Sequence, residues 1–134
     1  MAIVPVSTEH APGAIGPYSQ AVKIENLVFC SGQIALDPKT GELVQGGIEA
    51  ETARVLDNLA AVLTAAGASF GDVVRTTIYL TDLAHFGVVN RLYGERIGAP
   101  PPARTTIQVS ALPRGGLVEI DVIAHIGKAT SPAT

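Results

Sequence analysis

Ala103-Arg104-Thr105-Thr106-Ile107-Gln108-Val109-Ser110-Ala111 and, beyond Leu112-Pro113-Arg114-Gly115-Gly116, Leu117-Val118-Glu119-Ile120-Asp121-Val122-Ile123-Ala124-His125-Ile126 alternate in polarity with the period of a β-strand. In the first run Thr105, Ile107, Val109 and Ala111 form the apolar side, and Arg104, Thr106, Gln108 and Ser110 the polar one. In the second, Val118, Ile120, Val122, Ala124 and Ile126 oppose Leu117, Glu119, Asp121, Ile123 and His125. If residues 112–116 turn a hairpin that pairs Ser110 with Leu117, both polar rows share a face and Arg104 and Glu119 look the same way. That register separates the two charges by roughly 13 Å, at about 3.3 Å per residue. A compact site using both is then easier to build from two neighbouring subunits. Spacing alone, however, fits a structural or interface ion pair more often than a site.

Working outward, Val73 to Leu80 is rich in β-branched residues and alternates, and strands are expected at Ala21 to Ile24 and Leu27 to Gln33. Between them, Ile48, Val55, Leu56, Leu59, Val62, Leu63 and Ala66 recur at helical spacing from Gly47 to Ala66, and Gly67 is placed to end the helix. Thr81 or Asp82 can cap a second helix with the stripe Phe86, Val89, Tyr93 and Ile97, stopped by Gly98 and Pro100-Pro101-Pro102. The order of elements predicts an α+β sandwich of two layers with both helices on one face of the sheet. The other face carries Leu27, Phe29, Tyr79, Leu117 and Ile123, which a monomer would expose, so an oligomer is expected to cover it.

The chain of 134 residues fits one domain, expected over 1–127, with 128–134 having the composition of a frayed tail. A net charge of -3 with scattered Lys and Arg argues against a nucleic-acid partner. The one cysteine, Cys30, excludes an internal disulfide and reads as a buried small hydrophobe; His10, His85 and His125 lack metal-ligand spacing. No metal is expected. The start, Met1-Ala2-Ile3-Val4-Pro5-Val6, lacks the basic and apolar regions of a signal peptide, and no window reaches a membrane span, so a cytoplasmic protein without membrane partners is expected.

Gly16-Pro17-Tyr18-Ser19-Gln20, Ser31-Gly32-Gln33, Asn58-Leu59, Val89-Asn90-Arg91-Leu92-Tyr93, Pro102-Ala103-Arg104 and Val118-Glu119-Ile120 together resemble the RidA (YjgF) family of reactive-intermediate deaminases, collinearly from about Tyr18 to Ala124. The resemblance implies a chorismate-mutase-like fold with a six-stranded mixed sheet, a homotrimer, and active sites between subunits. It also implies, without any cofactor, hydrolysis of enamine and imine intermediates such as 2-aminoacrylate to 2-oxo acids and ammonia. Carried over position by position, Arg104 matches the arginine that binds the substrate carboxylate and Glu119 the acid that holds or activates water. Tyr18, Ser31, Gly32 and Asn90 match residues lining the same pocket, with Tyr18 able to donate or relay a proton. Thr106 stands there too, at a position where several relatives carry cysteine. The rival expectation is a trimer that binds a carboxylate ligand, or regulates, without turnover. Ribonuclease or translation-inhibiting activity sits poorly with the acidic balance.

Overall fold

The computed structural model describes residues 2–127, so the tail expected at 128–134 lies outside the described residues. Six strands, β1 (Val4–Val6), β2 (Ala21–Ile24), β3 (Leu27–Gln33), β4 (Val73–Leu80), β5 (Ala103–Gln108) and β6 (Val118–His125), form one mixed sheet in the order β1-β2-β3-β6-β4-β5. Helices α1 (Gly47–Ala65) and α2 (Phe86–Arg96) pack on one face. The two-layer α+β architecture is the expected one.

The reason for the layering is visible in α1. Val55, Leu56, Leu59, Val62 and Leu63 are fully buried at three- and four-residue spacing, against Val28, Ile78, Leu80, Val118, Ile120 and Val122 of the sheet. Burying each of these side chains contributes about 1.5–3 kcal/mol. The helix stops where Gly67 takes φ +84°, a conformation open to glycine without steric cost. Asp82 does cap the next helical segment, accepting from the Ala84 amide ahead of a short turn, Leu83–His85, that runs into α2.

The expected hairpin of the last two strands does not exist. β5 pairs in parallel with β4, Thr76 beside Arg104 and Leu80 beside Gln108, and α2 is the crossover that such a pair requires. β6 instead lies antiparallel between β3 and β4. Burial explains the choice: Val118, Ile120, Val122 and Ala124 are all inside, and a strand with so complete an apolar row stabilises the sheet most at its centre. β5, with Arg104, Thr106 and Gln108, has less to bury and takes the edge.

This order overturns the shared face of Arg104 and Glu119. Arg104 is beside Thr76 and Glu119 beside Tyr79 on the same strand. Three positions along an unbroken strand is an odd number, so the two side chains point to opposite faces. Thr76, fully buried, shares a 2.8 Å hydrogen bond with Tyr93 of α2, which puts Arg104 on the helix side and Glu119 on the open side. The row read as apolar in β5 is likewise the outward one, with Ile107 41% exposed. Phe29 and Leu27 join it on the open face, 38% and 37% exposed.

Candidate functional site

On the open side, Glu119 borders a cleft of about 540 Å³ whose wall includes Tyr18, Ser31, Gly32, Ile34 and Arg114. A bulge builds the floor. Between Cys30 opposite Val122 and Gln33 opposite Ile120, β3 holds one residue more than β6, so Ser31 and Gly32 bow out beside Glu119. A β-carbon on Gly32 would collide with the Glu119 carboxylate and stand 2.8 Å from its Cδ, so a side chain here would push the acid out of its present place. Ser31 is held at both ends: its amide donates to the Gln20 carbonyl at 2.9 Å and its hydroxyl to the Ser19 carbonyl at 2.6 Å. Tyr18 is half exposed, its amide donating to Gly16 and its hydroxyl accepting from the Ile15 amide at 3.4 Å.

Three buried polar side chains fix the segments that surround this cleft. The Asn58 carboxamide on α1 donates to the Ile34 and Leu36 carbonyls at 3.2 and 3.0 Å. Gln20 donates to the Ala11 and Pro12 carbonyls at 3.3 and 2.7 Å while its oxygen accepts from Thr8. Glu51 accepts the Leu117 amide at 2.8 Å, two residues before Glu119. Each satisfies backbone groups that leave the sheet, where an unmet donor or acceptor costs about 1–3 kcal/mol.

Burial first, and then the negative charge of Asp121, push the Glu119 carboxyl above the ordinary carboxylate range. A carboxyl shifted in that direction holds a proton more readily than a free one and is better suited to take one up and return it. Burial, with a smaller contribution from Asp121, lifts the Cys30 thiol to about 12, so it is a packing residue and no nucleophile.

The second group stands on the helix side, at the edge strand. Arg104 donates to Asn90 Oδ1 at 2.6 Å, and its guanidinium carbon lies 5.1 Å from the Tyr93 ring centroid and 5.5 Å from that of Phe86. Two aromatic faces and one amide thus orient the fork without neutralising it. Among the described residues Arg104 makes no ion pair, whereas Arg91 meets Glu49 and Arg96 meets Asp57. Thr106, two positions along the same strand face, has a buried hydroxyl with no hydrogen-bond partner among the described residues.

The expected site residues therefore fall into two sets: Tyr18, Ser31, Gly32 and Glu119 share the cleft, and Asn90, Arg104 and Thr106 share the helix side. One chain does not bring the sets together. Phe86 and Tyr93 were legible only as a helix stripe; their place under Arg104 had no separate signal. Arg114 in the cleft wall was read as part of a turn, and the Gly115-Gly116 pair beside it gave no hint of its direction. Among the described residues no group of three His, Cys, Asp or Glu side chains could hold a metal ion, and no helix is long and apolar enough to cross a membrane.

The chain is similar to known proteins over most of its length. The family described as "Endoribonuclease L-PSP" matches residues 8–126. Protein DfrA of Myxococcus xanthus is 56% identical over 126 residues, 92% of this chain and 96% of the relative. The 2-iminobutanoate/2-iminopropanoate deaminase of Mus musculus is 50% identical over 122 residues, covering 91% of this chain and 90% of the relative. Among solved structures, the Rid-family protein YyfA of Yersinia pestis superposes with a TM-score of 0.90 at 46% identity, covering 93% of this chain and all of that one.

Proposed function

The chain belongs to the endoribonuclease L-PSP family, that of the RidA (YjgF) proteins, and we propose that it hydrolyses 2-imino acids and their enamine tautomers, such as 2-aminoacrylate, to 2-oxo acids and ammonia. The observation that carries this reading is the splitting of an oriented, unpaired guanidinium and a proton-ready carboxyl onto opposite faces of one sheet. Neither set alone can hold and hydrate an imino acid; two copies of the chain supply both.

The reading takes residues 1–127 as one domain that assembles as a homotrimer. The open face of one subunit, with Leu27, Phe29 and Ile107 exposed, covers itself against the edge strand of the next. Such a head-to-tail contact closes into a ring. Each junction then sets the Glu119 cleft of one subunit opposite Arg104 of its neighbour.

In that site Arg104 forms two parallel hydrogen bonds with the substrate carboxylate, which fixes its plane. Asn90 keeps the fork in place, and Thr106 supplies a hydroxyl to the same end of the ligand. Glu119 accepts a proton from water as the water oxygen bonds to the imine carbon, and the imine nitrogen takes up a proton from solvent by way of Tyr18, giving a carbinolamine. Its C–N bond then breaks as Glu119 returns its proton to the nitrogen, which leaves as ammonia, and the hydroxyl gives its proton back to solvent as its oxygen becomes the 2-oxo group. Tyr18 relays protons at the mouth. The sum is imino acid plus water to oxo acid plus ammonia. Positioning and acid-base help of roughly a hundredfold over the spontaneous reaction are what such groups supply.

A dehydratase acting on serine releases the enamine, and pyruvate formation follows its hydrolysis. Faster pyruvate release with the protein than without it is the expected result. No acceleration would overturn the assignment and leave carboxylate binding without turnover, which uses the same Arg104. Full activity in Arg104→Ala would remove the carboxylate role.

A further inference from the structure

The wall of the Glu119 cleft includes one arginine, Arg114. It stands on the short turn Pro113–Gly115, in the connection that carries the chain from the edge strand back to β6. Two features set it apart from the other surface arginines. Its backbone is left-handed, φ 62° and ψ 17°, a conformation that costs an L-residue free energy and costs glycine almost none. Its neighbours Gly115 and Gly116 show that glycine is at hand in this turn. Among the described residues its side chain makes one hydrogen bond, Nη2 to the Gly41 carbonyl at 3.1 Å, which anchors the arm and leaves the other guanidinium N–H groups of this cleft-lining residue for a ligand. No carboxylate among the described residues pairs with it, Glu119 in the same cleft included.

We propose that Arg114 is a specificity-determining residue that draws into the cleft imino acids whose side chain carries a second carboxylate, an inference that rests on the imine-hydrolase reading above. The chemistry is that of a cation held beside an apolar wall. Ile15, Ile34 and Pro113 line the path and suit a short aliphatic spacer, and the guanidinium at its end suits an anion. Arg104 of a neighbouring subunit takes the carboxylate next to the imine carbon, so the two arginines read the two ends of one dicarboxylic ligand. Because Arg114 is exposed, its contribution is moderate and weakens with added salt.

The test compares imines generated in place by amino-acid oxidases from alanine and from aspartate, with ammonia release followed for the full chain. The quantity read is the ratio of kcat/KM for the dicarboxylic imine to that for the neutral one. Arg114→Gly is expected to lower this ratio about tenfold, the scale of one charge-assisted contact. Arg114→Lys, which keeps the charge without the fork, should fall between. The glycine variant relieves the left-handed backbone, so its melting temperature should be no lower than that of the parent, which separates the loss from unfolding. An unchanged ratio in Arg114→Gly, or a parent that hydrolyses only the neutral imine, overturns the role of Arg114 while leaving the imine-hydrolase reading standing. No acceleration of either imine overturns both.

Discussion

If the two sets of residues meet only between chains, two inactive variants should repair one another. Arg104→Ala removes the fork that orients the carboxylate, and Glu119→Ala removes the proton acceptor. Losing a charge-assisted bidentate contact corresponds to about 1.5–3 kcal/mol, roughly a ten- to hundredfold fall in kcat/KM, and loss of the acid to about a hundredfold or more. In a closed ring of randomly mixed chains, a junction works when its cleft comes from an Arg104→Ala chain and its arginine from a Glu119→Ala chain. Each condition holds for half the chains in an equal mixture, so about one quarter of the junctions are intact. The geometry behind the figure is the odd spacing along β4 that sends Arg104 and Glu119 to opposite faces. The two proteins are mixed, unfolded and refolded together, and pyruvate release is compared with that of each variant and of refolded parent protein. Recovery to about a quarter of the parental rate is expected. A mixture no more active than the mean of its two components would refute the shared-site reasoning.

Three further outcomes are expected. Gly32→Ala forces a β-carbon against the Glu119 carboxylate, so kcat should fall at least tenfold with the far-ultraviolet circular dichroism unchanged; retention of full activity would show that Glu119 need not occupy this position. Glu119 acts as a base only when ionised, so activity should fall as pH drops through its raised pKa. Asp121→Asn removes the second of the two causes of that shift, and the acidic limb of the kcat/KM profile should move to lower pH; a limb that stays in place would exclude Glu119 as the titrating group. Glu51, 4% exposed, has its pKa raised mainly by burial, opposed by the Leu117 amide and by His85, so the fold favours its neutral form and loses that contribution as pH rises from the ordinary carboxylate range through the raised pKa. Glu51→Gln keeps an acceptor for Leu117 and cannot ionise, so thermal melts should show it gaining on the parent at pH 8 relative to pH 4; an equal difference at both values would contradict this.

The elements were legible because burial imposes periods, and the site residues because their chemistry stands out from those periods. Val118 to Ala124 and Val55 to Leu63 announced a strand and a helix, and the structure places both as read. Partnership was not legible. Alternation assigns each side chain to one of two faces but does not say which strand lies alongside, and a turn-like sequence at 112–116 made the neighbouring run the obvious partner of Val118 to His125. The decisive fact, that a nearly complete apolar row prefers the centre of a sheet, becomes binding only once every strand competes for that place. β1 escaped notice because three residues with a proline in the middle carry too little pattern. The Ser31–Gly32 bulge is a property of two strands together, so neither sequence alone could reveal it.

The Asn58 carboxamide, fully buried in α1 yet bonded to the Ile34 and Leu36 carbonyls, ties the timescale of the cleft to that of the core. Moving this wall segment aside breaks two hydrogen bonds to a buried carboxamide, so it should open less readily than a loop held only by its own turn. Asn58→Ala should then speed hydrogen exchange at the Leu36 amide, which donates to Ile34, and at the Val44 amide, which donates to Ala35.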